Sequence, residues 1–100
     1  MNRTTDYTNA AQQRILALVL YLFGDVAHGY RPAALAQALG CSASAMTRDL
    51  DNLRTAGFAE YVEQTSCWRL TSRLPNQAAK VYATAATQAR QFDHLSRQFN

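Results

Sequence analysis

Between Ser42 and Arg48 the chain places three hydroxyls and a guanidinium: Ser42, Ser44, Thr47 and Arg48. Hydroxyl and guanidinium groups donate to phosphate oxygens, and arginine also pairs with the major-groove edge of guanine. Ser42 stands where it can cap a helix, and a helix N-terminus itself favours an anion. Arg31 upstream, and Arg69 and Arg73 downstream, extend the set. Ser42, Ser44, Thr47, Arg48, Arg31, Arg69 and Arg73 are therefore the expected contacts to double-stranded DNA. Each has a plainer use: Ser42 as a cap alone, Arg48 as a solvated side chain paired with Asp49 or Asp51. Those two carboxylates would repel phosphate unless they orient Arg48 and Arg54. Asn52, one turn beyond Arg48, sits far along for a base contact. Trp68 reads as an anchor beneath a wing, and His28 and His94 as surface residues.

Other chemistries fit poorly. No nucleophile stands near a base at suggestive spacing, and there is no carboxylate pair or phosphate loop, so no enzyme activity and no cofactor are expected. Cys41 and Cys67 are 26 positions apart, without the spacing of a zinc site. They read as reduced thiols, and no metal is expected. Ten basic against seven acidic residues give a net charge of +3, which permits a polyanionic partner without demanding one. All the basic residues except Lys80 are arginine, the better residue for phosphate and base edges.

The elements that must hold these groups follow from the apolar pattern. One hundred residues suit a single domain. Asn9 and Gln12 resemble a capping box that opens a first helix, expected to stop at Gly24. Its run "ILALVLYLF" is too short to span a bilayer and reads as buried, in a cytoplasmic protein without membrane attachment. Pro32 starts a second helix that ends at Gly40, and Ser42 starts a third that ends at Gly57. Met46, Leu50 and Leu53 share one face of that third helix, while Ser44, Ala45, Thr47 and Arg48 are expected on the other. "FAEYVE" and "CWRLT" alternate as two strands of a hairpin. Pro75 opens a last helix of roughly two dozen residues, about 36 Å long. The fold class is mainly α with a small β-hairpin: a winged helix-turn-helix over residues 9–74, a flexible start at 1–8 and a C-terminal amphipathic helix at 75–100.

The stretch "AALAQALGCSASAMTRDLDNLRTAGFAEYV…WRLTSRL" resembles the N-terminal winged helix of IclR-type bacterial transcription regulators. The shared features are a small residue, the Leu-Gly pair, a Ser-x-[apolar]-x-Arg core, the Leu-x-x-Leu run, Ala-Gly-[apolar] and a Tyr-Arg-Leu-like second strand. The likeness covers roughly residues 10 to 75 and implies a DNA-binding regulator. Ala43 and Ala45 stand where that family often has lysine and threonine, and Asp49 replaces an inward apolar residue. With no effector-binding domain following, the resemblance implies no small-molecule sensing. Compact versions of this kind resemble regulators of Mu-like phages and prophages.

The last helix carries Val81, Tyr82, Ala85, Phe92, Leu95 and Phe99 at three-four spacing, the stripe expected to form a homodimer seam. Packing against the first helix is the plainer use. A two-fold dimer would read a near-palindromic operator. The competing function is a winged-helix protein-interaction module, an adaptor or antagonist of a host factor without sequence-specific DNA binding. A continuous positive face through Arg31, Arg48 and Arg69 would favour DNA, and a mixed-sign face would favour protein.

Overall fold

A computed structural model describes residues 5–99, with the side chains of residues 86, 88, 89, 98 and 99 outside the description. The order is α1 (Ala10–Leu22), a 3-10 turn (Phe23–Asp25), α2 (Pro32–Leu39), α3 (Ala43–Thr55), β1 (Ala59–Val62), β2 (Cys67–Leu70), α4 (Arg73–Ala83) and α5 (Ala85–Phe99). This is the winged helix-turn-helix expected from the pattern.

The caps fall where the sequence puts them. Asn9 Oδ1 accepts the Gln12 N–H at 3.1 Å and starts α1. The Ser42 hydroxyl accepts the Ala45 N–H at 3.1 Å and starts α3. Between α2 and α3, Gly40 takes a left-handed φ of 65°, which closes one helix and turns the chain for the next. Ala36, buried one turn earlier, lets the backbones approach at that corner.

Leu18 and Leu22 of α1, Leu35 of α2, and Met46 and Leu50 of α3 are fully buried. Leu53, Ala59 and Leu70 extend this core towards the hairpin. The strands pair antiparallel, Ala59 opposite Leu70 and Tyr61 opposite Trp68, so alternate residues of the wing reach the core. The sequence gives no sign of a further bridge, in which Tyr30 and Trp68 exchange backbone hydrogen bonds of 2.9 and 2.8 Å. It depends on Gly29, where a Cβ would collide with the Trp68 carbonyl.

Four expectations are corrected. The chain does not stop helically at Gly24 but carries it through the 3-10 turn and reverses at Gly29, with φ 76°. The run from Ile15 to Phe23 is buried on one side only, because Leu16, Leu20, Tyr21 and Phe23 are exposed. Ala45 is buried, since its position on α3 borders the Met46 stripe. The last helix begins at Arg73, with Pro75 in its first turn where no intrahelical N–H is needed, and breaks at Thr84. There the backbone leaves the helical region (φ −114°, ψ 32°), while the Thr84 hydroxyl bonds back to the Lys80 carbonyl at 3.3 Å. No helix among the described residues is long and apolar enough to cross a membrane.

Candidate nucleic-acid interface

The third helix divides cleanly. Met46, Asp49, Leu50 and Leu53 face inward, and Ser44, Thr47, Arg48 and Asp51 form one exposed strip on the opposite side. Four residues of the expected set thus share one surface: Ser42 at the helix start, then Ser44, Thr47 and Arg48 along the strip.

Their hydrogen bonds decide what each can offer. The Ser42 hydroxyl is engaged with Ala45 N–H and lies 3.3 Å from Ser44 Oγ. Thr47 Oγ1 donates to the Ala43 carbonyl at 2.9 Å, which leaves its methyl and its lone pairs outward. Asn52 donates to the Arg48 carbonyl at 2.8 Å and is thereby turned back on the helix. The Arg48 guanidinium makes no ion pair among the described residues, because Asp49 and Asp51 are taken elsewhere. Asp51 binds Arg54, three residues on. Arg48 is therefore a solvated cation on the strip, beside helix N-terminal N–H groups that already favour negative charge.

Asp49 has a different partner altogether. It accepts from Arg14 of α1 through both oxygens, at 2.6 and 3.1 Å. The Asp49 side chain is 7% exposed and that of Arg14 23%. Bonding to Asp49 holds the Arg14 guanidinium above the ordinary arginine range. The departure at Asp49 is thus a cross-link that fixes α3 on α1 in one register. Its signal was present in the sequence as two opposite charges, each set among apolar residues that face the core.

The remaining arginines scatter. Arg31 is exposed at the start of α2 without an ion pair among the described residues. Arg69 bonds Glu60 across the wing at 3.0 Å and donates to the Ala27 carbonyl at 2.9 Å. Arg73 donates to the Ala56 carbonyl at 3.1 Å, just past α3, and covers the Phe58 ring. These last two brace the framework. Carboxylates accompany these cations, Asp51 on the α3 strip and Glu60 against Arg69, so the charge is of mixed sign at those places.

Sequence reasoning missed an aromatic edge beside the strip. Tyr61 and Trp68 are cross-strand neighbours with ring centres 5.5 Å apart, and the Arg54 guanidinium lies 5.6 Å from the Trp68 ring. The first strand ends at Val62 rather than Glu63, and the resulting loop over residues 63–66 sets Tyr61 opposite Trp68, a register the strand pattern alone did not fix. Trp68 also packs on the core, as an anchor should. His28 lies on the surface beside Asp25. Cys41 and Cys67 are free and half-buried. A shallow cleft of about 390 Å³ lies between Val26 and Ala27, the wing and the start of α4, and its two charged groups, Glu60 and Arg69, bond each other.

No family model matches the chain. No curated protein matches it either. Among solved structures it is similar to the ORF112 Zalpha domain of Cyprinid Herpesvirus 3, described in its binding to Z-DNA. That likeness has 25% identity and a TM-score of 0.52, and covers 60% of this chain and 95% of that one. It is also similar to a mutant of ZitR from Lactococcus lactis, at 15% identity and a TM-score of 0.48, over all of this chain and 69% of the other.

Proposed function

We propose that this chain is a cytoplasmic DNA-binding transcription regulator, a homodimer that reads a near-palindromic operator by laying the outward strip of α3 in the major groove. The observation that carries the reading is the division of α3, whose inner face is committed to the core while its outer face is small, polar and open. The likeness to a domain that binds Z-DNA supports a nucleic-acid role for such a scaffold. Arg48 is the leading base or phosphate contact, Ser44 a phosphate donor, and Thr47 offers its methyl to a thymine. Ser42 orients the helix N-terminus towards phosphate, Arg31 flanks the groove, and Arg69 and Arg73 lend their outer N–H groups to the backbone.

In this reading residues 9–74 bind DNA and residues 75–100 join two copies, through Val81, Tyr82, Ala85, Phe92, Leu95 and Phe99. The side chain of Phe99 lies outside the described residues. A two-fold pair would set its α3 helices about 34–36 Å apart, one turn of duplex. The resemblance to IclR-type regulators, in the compact form of Mu-like phages, agrees with this use of α3. Binding, not catalysis, is the activity, and it needs no metal or cofactor.

Selection of bound fragments from random duplexes, at about 50 and 200 mM salt, tests the reading. Two phosphate contacts per chain, from Arg31 and Arg48, whose guanidinium groups have no ion pair among the described residues, give a log–log salt slope of about −4 for a dimer. Enrichment of near-palindromes with that slope supports it. A CG-repeat duplex held in the left-handed form serves as competitor, because the similar domain binds Z-DNA; preference for it would move the ligand to that form. The mixed-sign surface favours one second reading, a protein-interaction module without sequence preference. Absence of both enrichment and salt slope would leave that reading in place of the first.

A further inference from the structure

Two apolar faces of this molecule point away from its core. On α1, Leu16 is 60% and Leu20 73% exposed, and Phe23 continues the same stripe at three-residue spacing. The stripe lies opposite Leu18 and Leu22, which are fully buried. Arg14 is the one charged residue between Ala10 and Leu22, and it is turned inward onto Asp49. A helix that is apolar on both sides belongs in an interior, not at a surface. The second face is on the C-terminal arm, where Val81 is exposed, Tyr82 is 79% and Phe92 56% exposed, and Leu95 follows.

We propose that the outer face of α1 is the seat for the α4–α5 arm of a second copy, so that two chains exchange arms about a two-fold axis. The inference rests on the homodimer part of the preceding reading and names what the apolar stripe of the arm docks against.

Four observations favour a second copy as the occupant. The lengths match: α1 with its 13 residues is about 20 Å long, and α5 with its 15 about 22 Å. The charges are compatible, since the α1 face carries none, and Asp93 and Arg97 of α5 satisfy each other at 3.1 Å. The area is of the right order: the exposed fractions of Leu16, Leu20, Phe23, Val81, Tyr82, Phe92 and Leu95 amount to roughly 750 Å² per chain, close to the about 800 Å² per partner of a standard stable interface. The shape requires an arm that extends, because the radius of gyration is 17.1 Å where a compact domain of this length has about 13 Å. The break at Thr84 lets that arm change direction. Exchange also leaves the site free, since the α1 stripe and the α3 strip lie on opposite sides of the shared core.

Cross-linking of full-length chains tests this without DNA. Cys41 and Cys67 are replaced by serine, and single cysteines are introduced as Leu20→Cys in one population and Phe92→Cys in another carrying a size tag. A short bismaleimide should join Leu20→Cys to Phe92→Cys between chains in the mixture. It should not join either population to itself. Leu16→Glu with Leu20→Glu should reduce the sedimentation mass from twice 11.1 kDa to 11.1 kDa while the far-ultraviolet spectrum is retained. Cross-links within Phe92→Cys alone would mean that the arms pair with each other, and would overturn the proposal. In a third sample with both cysteines on one chain, a link that stays within that chain would mean that the arm folds back on its own α1, and would overturn it too. So would a monomeric parent chain. An added Arg48→Ala change leaves the expected cross-link intact, so failure here is separable from failure of the α3 reading.

Discussion

The outward faces of α1 and α3 invite comparison because one core lies between them and both are exposed. On α1 the outer positions are Leu16, Leu20 and Phe23; on α3 they are Ser44, Thr47, Arg48 and Asp51. Both helices have 13 residues and bury one stripe against the same leucines and Met46. What differs is the chemistry left over. An uncharged apolar face gains only by leaving water, so its natural partner is another apolar surface. A strip of hydroxyls with one unpaired arginine loses hydration unless its partner returns hydrogen bonds and charge, which a duplex does.

The comparison is broken most severely by attacking the layer the two faces share. Leu50 is fully buried between α3 and α1, and Leu50→Ala should cost about 2–5 kcal/mol. Melting followed by Trp68 fluorescence and by far-ultraviolet circular dichroism should fall together, since both faces hang on one core.

The Arg14–Asp49 link is the next largest target. Arg14→Ala leaves a carboxylate buried without its counter-charge, whereas Asp49→Ala leaves a long guanidinium side chain that can turn to solvent. Thermal midpoints should therefore fall further for Arg14→Ala than for Asp49→Ala. Equal falls would mean that the pair contributes packing rather than charge.

Arg48→Ala sharpens the contrast by touching one face alone. Loss of a bidentate or phosphate contact of about 1–3 kcal/mol should weaken duplex binding roughly 5- to 150-fold in a mobility titration. The sedimentation mass and melting temperature should stay unchanged.

Asp25 lies on neither face and supplies the smallest effect. The backbone N–H of His28, at 3.0 Å, and then its imidazole hold the Asp25 carboxyl below the usual carboxylate range. A carboxyl lowered in the folded state adds stability above its ordinary pKa, and that share is lost as pH falls through the folded value. Asp25→Asn should accordingly be slightly less stable at neutral pH, with the gap closing below about pH 4 in urea titrations.

What was legible in the sequence was local. Asn9, Gly40 and Ser42 act through bonds to residues within a few positions, so their roles were visible from spacing. Met46, Leu50 and Leu53 declare a helical face by periodicity alone. Less visible was anything set by distant chain. The Arg14–Asp49 bond spans 35 positions, and the pairing of Tyr30 with Trp68 depends on how the 3-10 turn delivers Gly29 to the wing. Arg69 and Arg73 look like free cations until Glu60, Ala27 and Ala56 are brought against them. Apolar content also misled at α1, where a continuous run reads as buried although only one side of the helix meets the core. The break at Thr84 had no clear sign, since alanines on both sides favour continuing the helix.

One measurement goes to the centre of the account: an amide-resolved nuclear magnetic resonance titration of the chain with a selected duplex at moderate salt. Shifts concentrated between Ala43 and Asp51, with a weaker group around Arg31 and none along Leu16 to Phe23, are the predicted result. Shifts centred on α1, or a spectrum indifferent to the duplex, would contradict the claim that the open side of α3 is where this molecule meets DNA.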